Sequence, residues 1–280
     1  MPPTFARPEL LASPDWLAEN LSRPGLRVLD CRWRVDGSAH RLYAQGHLPG
    51  AVFLDWTHDL VEGEGINRLQ LAGPAQFSLA MGRVGIGDGT SVVLYDDTAS
   101  LYACRVWWSL LVYGHESVRV LDGGWRAWEA SGHPISASQL LQQPAVFTPR
   151  ASPRLRLSTS DMRALLGSRD VQLVDVRPPA EYRGEEGTGP RLGHIPGAVN
   201  VPAALLTVPV EQRFRDPVYL TRLFLDAKVT RVRPVITYDT SGIAATKAAF
   251  VLALLGYRGV AVYEPGWAEW AERMDLPVER

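Results

Sequence analysis

The sequence predicts an α/β protein made of two repeated domains, each a mainly parallel sheet flanked by helices. Three observations carry this expectation. The chain contains itself twice: Gly46 to Val52 reads GHLPGAV and Gly193 to Val199 reads GHIPGAV, with His47 and His194 147 positions apart. Val92 to Asp96 (VVLYD) recurs as Val235 to Asp239 (VITYD) at an offset of 143. Trp125, Trp128 and Gly114 recur as Trp267, Trp270 and Gly256 at 142. Unlike segments that return in the same order at a nearly constant offset mark a duplication. The length of 280 residues, about twice the common domain size, agrees with two such units. Finally, short β-branched runs alternate with helical stretches, the pattern of parallel sheets covered by helices on both faces.

Taken in order, Leu26 to Leu29 is a short apolar run closed by Asp30. Val92 to Tyr95 is the next, and Val118 to Leu121 the third, closed by Asp122-Gly123-Gly124. Apolar runs of this length bounded by Gly or Asp fit buried strands. Cys104 to Tyr113 reads as a helix that Gly114 ends. The second repeat copies this plan, with strands over Val171 to Val174, Pro234 to Tyr238 and Val260 to Tyr263. Its helix runs from Ala245 to Leu255, stopped by Gly256. Between the repeats, Ser136 to Arg156 is polar, holds Pro144, Pro149 and Pro153, and lacks periodicity, as a linker does. The expected division is a first domain over 1–138, a linker over 139–157 and a second domain over 158–280.

Composition excludes several classes. With 46% hydrophobic and 21% charged residues the chain reads as an ordinary globular protein. A net charge of −1, from 29 basic and 30 acidic residues, gives no reason to expect nucleic acid or an anionic membrane as partner. No apolar run reaches the roughly 18 residues of a membrane span. The start, Met1 to Phe5, has no secretory pattern. Cys31 and Cys104 are too few for a disulfide framework and lack metal-ligand spacing. Free cysteine is usually a small buried hydrophobe, although the helix start at Cys104 could activate a thiol. The expectation is a cytoplasmic protein, a monomer or weak dimer, without metal or cofactor.

The chemistry is expected at the carboxyl ends of the strands, where loops lead into helices. Asp239-Thr240-Ser241-Gly242-Ile243-Ala244 is such a loop. Its small residues let backbone N–H groups point into one cup, and the helix dipole adds positive potential there. A cysteine in that cup would become a thiolate nucleophile. Asp239 cannot carry a transferable sulfur; Asp239 or Thr240 could simply cap the helix.

Taken together, the two GHxPGAV segments, Asp175-Val176-Arg177, Glu181-Tyr182-Arg183-Gly184-Glu185, Arg105 to Trp108 with Tyr113-Gly114-His115, Leu121 to Trp125, and Tyr263 to Trp267 resemble the tandem rhodanese-domain sulfurtransferases. That family contains thiosulfate and 3-mercaptopyruvate sulfurtransferases, and the resemblance covers nearly the whole chain. It implies two rhodanese-like domains with the second-domain loop facing the interdomain cleft. It also implies sulfane sulfur transfer from a small anionic donor, through a cysteine persulfide, to cyanide or a thiol. The first domain of such proteins is inert and typically has Asp at the cysteine position, as Asp96 does here. Here Asp239 stands at the active position too, and Ala244 replaces the usual sixth-position Thr, so impaired transfer is expected. A non-catalytic anion-binding or regulatory protein is the alternative. The Thr240 to Ile243 stretch is closer to mercaptopyruvate-type loops, and Glu181 to Glu185 to bacterial thiosulfate-type members. The resemblance further assigns Arg183 and Arg191 to the donor's anionic group, with Thr240, Gly242, Ile243 and Ala244 around it. Solvated arginines in a glycine-rich loop are the other reading. Asp36, His47 and Ser241 match a proton relay proposed for mercaptopyruvate-type members. Because the histidine motif occurs in both repeats, His47 and His194 read more simply as structural turn residues.

Overall fold

The computed structural model describes residues 4–62, 69–138, 142–187 and 189–280. The strands of the first repeat are β1 (Leu11–Ala12), β2 (Leu26–Asp30), β3 (Ala51–Phe53), β4 (Val61–Glu62), β5 (Gln70–Leu71), β6 (Ser91–Tyr95) and β7 (Val118–Leu121). Those of the second are β8 (Arg156–Leu157), β9 (Gln172–Asp175), β10 (Ala198–Asn200), β11 (Val235–Tyr238) and β12 (Val260–Tyr263). Two five-stranded sheets result, in the orders β1-β7-β6-β2-β3 and β8-β12-β11-β9-β10. Every pair within them is parallel, while the small β4–β5 ribbon is antiparallel. The two sheets share one topology, as a duplication requires.

Each sheet is buried on both faces, which is why its strands read as continuous apolar runs. Along β6, Val92 and Leu94 enter one core while Val93 and Tyr95 enter another. Along β11 the split is Val235 against Ile236 and Tyr238. The inward faces of both sheets feed a single core that also holds the helices Leu101–Val112 and Ala244–Leu254. Trp107 and Phe250 meet edge to face across it, with centroids 4.9 Å apart. Burial all around the Leu101–Val112 helix follows from this position between a sheet and the other domain.

The first-repeat helix starts three residues before the expected Cys104. The reason is Asp96: its carboxylate accepts from Tyr102 N and Ala103 N, both at 2.8 Å, and so caps a turn the side-chain pattern does not mark. Gly114 (φ 81°) and Gly256 (φ 80°) end the two helices in the left-handed conformation, as expected.

The interdomain stretch is strapped to the first domain. Phe147 is buried against Phe77, and Ser78 Oγ donates to its carbonyl at 2.6 Å. Ser152 N then donates to Val112 O at 2.7 Å, before β8 joins the second sheet beside β12. The amino-terminal segment does the reverse. Arg7 N donates to Leu254 O of the second domain at 3.1 Å, and β1 then joins the first sheet. Each repeat's leading segment therefore clasps the end of the other repeat's central helix.

Candidate active loop

β11 ends at Tyr238, and Asp239 is the next residue, so a strand end aims it at the helix start. Its side chain is 6% exposed and turned into its own loop. Oδ1 accepts from Gly242 N at 2.7 Å and Oδ2 from Ala244 N at 3.0 Å. Burial pushes the carboxyl above its ordinary value, against the pull of these amides and that of Ala245. Asp96 repeats the arrangement more fully, accepting from Thr98 N, Ser100 N, Tyr102 N and Ala103 N at 2.8 to 3.0 Å. Burial raises its carboxyl as well. The loop depends on Gly242 (φ 77°), where a Cβ would lie 2.4 Å from Glu264 O. At Gly266 (φ 66°) a Cβ would lie 2.5 Å from Asp239 O.

Beneath each loop lies an ion pair that the sequence reading did not pick out as part of the site. Asp175 and Arg177 are almost fully buried and bound side by side, and Arg177 also donates to Gly193 O at 2.7 Å. Its guanidinium lies 4.6 Å from the Trp267 ring. Asp30, Arg32, Gly46 and Trp125 reproduce this set in the first domain. These pairs tie the strand end, the GHxPG turn and the closing tryptophan together. The signal was an Asp-x-Arg at the end of a strand in both repeats.

A pocket of about 280 Å³ opens beside the loop. Asp239, Thr240 and Ala244 form one wall, with Val176, Arg177, Pro178, Pro179, Pro202, Ala203 and Ala204 around them. Thr240, Ser241, Ile243 and Ala244 are half-buried and Gly242 is buried. Neither expected anion-binding arginine binds the loop among the described contacts. Arg183 is exposed and paired with Glu185 at 2.6 and 2.8 Å, the solvated reading. Arg191 is spent on the carbonyls of Trp270, Ala271, Arg273 and Leu276, at and beyond the far end of the Gly266–Glu272 helix. Carbonyls left without intrahelical partners attract a guanidinium there.

The relay is likewise not assembled. Asp36 is exposed and accepts from Ser38 N at 3.0 Å. His47 is buried, stacked on Tyr43, with Nδ1 2.8 Å from Tyr43 O and Nε2 3.2 Å from Ser138 O. Among the described residues no hydrogen bond joins Asp36, His47 and Ser241. His194 copies the turn, with Nδ1 2.8 Å from Tyr182 O and its ring stacked on Tyr182. Cys31 and Cys104 are fully buried, and burial pushes both thiols up, the opposite of activation.

The first domain reaches the loop through Arg105, which donates to Gly242 O at 3.1 Å and to Leu69 O at 2.7 Å. It also pairs with Glu264, which accepts from Leu71 N and lies 2.5 Å from Arg156 Nε. Lys247 stands at the matching place in the second repeat. It is buried with Thr207 Oγ1 at 3.0 Å, and burial pushes its ammonium down.

Comparison with known proteins returns one family. The profile of the rhodanese-like domain matches residues 13–131 and again 158–273. A thiosulfate sulfurtransferase of Rattus norvegicus is 36% identical over 94% of this chain and 92% of its own. A 3-mercaptopyruvate sulfurtransferase of Escherichia coli is 32% identical over 95% and 96%. The crystal structure of SseA from Escherichia coli, a 3-mercaptopyruvate sulfotransferase, superposes with a TM-score of 0.84 at 28% identity. That match covers 92% of this chain and 98% of SseA.

Proposed function

Because the chain belongs to the rhodanese-like domain family, with both repeats matched, we propose that it is a thiosulfate or 3-mercaptopyruvate sulfurtransferase by descent whose persulfide step is disabled. The observation that carries this reading is the Asp239 carboxylate seated on Gly242 N and Ala244 N, where a thiolate would be stabilised. A carboxylate holds no sulfane sulfur, and here it fills the cup itself. Both native thiols are buried. An anionic sulfur donor and a thiol or cyanide acceptor are the ligands that descent suggests, in a cytoplasmic monomer or weak dimer. Among the described residues no helix is long and apolar enough to cross a membrane.

A second reading, a non-catalytic binding protein, is favoured by the pocket that stays open beside Asp239. One experiment tests the first reading. Thiocyanate formation from thiosulfate and cyanide is expected at the protein-free rate for the native chain. Asp239→Cys is expected to raise it at least about a hundredfold, a fraction of the ~10⁶ that a nucleophile supplies in an established enzyme. The new thiol should titrate below the ordinary value of about 8.5. Turnover by the native chain that survives Cys31→Ser with Cys104→Ser would overturn the reading.

A further inference from the structure

We propose that the pocket beside Asp239 binds a small primary alkylammonium, not an anion; this rests on the reading that Asp239 has replaced persulfide chemistry at this loop. Six carboxylates are buried among the described residues: Asp30, Asp59, Asp96, Asp175, Asp239 and Glu264. Four of them face a guanidinium, from Arg32, Arg83, Arg177 and the Arg105–Arg156 pair. Asp96 has none, but four backbone amides saturate it. Asp239 is the exception, held by the amides of Gly242, Ala244 and Ala245, with no cation among the described residues and a position in the wall of a pocket. A carboxylate offers about four acceptor sites, so part of its capacity remains. A buried charge without a counter-charge is costly, and a cation entering the pocket removes that cost.

The surroundings agree with this sign of charge. Arg177 lines the pocket, but its guanidinium is taken up by Asp175, Gly193 O and the Trp267 face. Arg183 and Arg191 are engaged elsewhere. Arg177 also faces Glu181, with Nη1 3.8 Å from its carboxylate, so that guanidinium already serves two carboxylates. The remaining walls, Val176, Pro178, Pro179, Pro202 and Ala203, are apolar and offer no aromatic face. A ligand with N–H donors at one end and a short branched alkyl body fits this combination. A sulfonate or thiosulfate would bring an anion against the Asp239 carboxylate, with Arg177 already engaged by Asp175 and Glu181.

Calorimetric titration of the native protein with isobutylammonium chloride, isobutanol and sodium thiosulfate tests this. The ammonium is expected to bind at least tenfold more tightly than either of the others. Asp239→Asn should weaken it at least tenfold. Ala204→Lys should do the same by placing a positive charge at an exposed rim position, so a misfolded Asp239→Asn protein leaves the test intact. Equal affinity for isobutylammonium and isobutanol, tighter binding of thiosulfate, or ammonium binding unchanged in a folded variant would overturn the proposal. Thiocyanate production by the native protein is a separate outcome that removes the underlying reading instead.

Discussion

At the scale of single residues, Asp239 and Asp96 are buried carboxylates at matching strand ends, each seated on the amides of its own loop. Burial holds both carboxyls above their ordinary values. A raised folded value means the contribution to stability is fully present below the unfolded value of about 3.9. It is lost as pH rises through the folded value. Native protein should therefore gain melting temperature relative to Asp239→Asn between pH 7 and pH 4, the other carboxylates cancelling in the difference. A difference that is flat or of opposite sign would show the loop amides outweighing burial. Arg191 gives a second expectation. With four carbonyls as its partners, Arg191→Ala should cost about 2 kcal/mol of stability. In the Asp239→Cys background it should leave KM for thiosulfate nearly unchanged, which denaturant unfolding and steady-state kinetics check side by side. Which arginines converge on a loop is set by packing, so Arg183 and Arg191 looked alike in the sequence. The GHxPG histidines occupy matching turns in both repeats, stacked on Tyr43 and Tyr182, as their recurrence in the sequence suggests.

At the scale of elements, β7 and β12 fell where the apolar runs placed them, since strands buried on both faces leave a strong trace. Helix ends at Gly114 and Gly256 were legible from glycine alone. The early helix start was not, because its cap is an aspartate five residues upstream of Leu101 in sequence. The strap over 142–152 was also hidden: one aromatic anchor in a polar run has no period to detect. Phe147 is that anchor, and Phe147→Ala should cost about 3–5 kcal/mol, the usual range for a buried phenylalanine. Chemical denaturation against the native chain measures it. A loss under 1 kcal/mol would mean the backbone bonds, not the ring, hold the strap.

At the scale of the molecule, the two sheets share one core and a buried ion pair. Calorimetry should accordingly show one cooperative unfolding transition, with no separate melting of the repeats. Arg105→Ala, which leaves Glu264 short of its most buried partner, should cost about 3–5 kcal/mol. A second resolved transition, in the native chain or in that variant, would contradict the shared core. The crossed leading segments carry a further consequence, one of ancestry. A polypeptide with a single repeat and a single such arm could satisfy its helix end only by borrowing the arm of a second copy. It would close into a two-fold symmetric pair. The tandem chain is the equivalent of that domain-swapped homodimer with its subunits fused. Within a single chain the two halves are free to differ, and here one aspartate is sealed by four amides while its twin lines an open pocket.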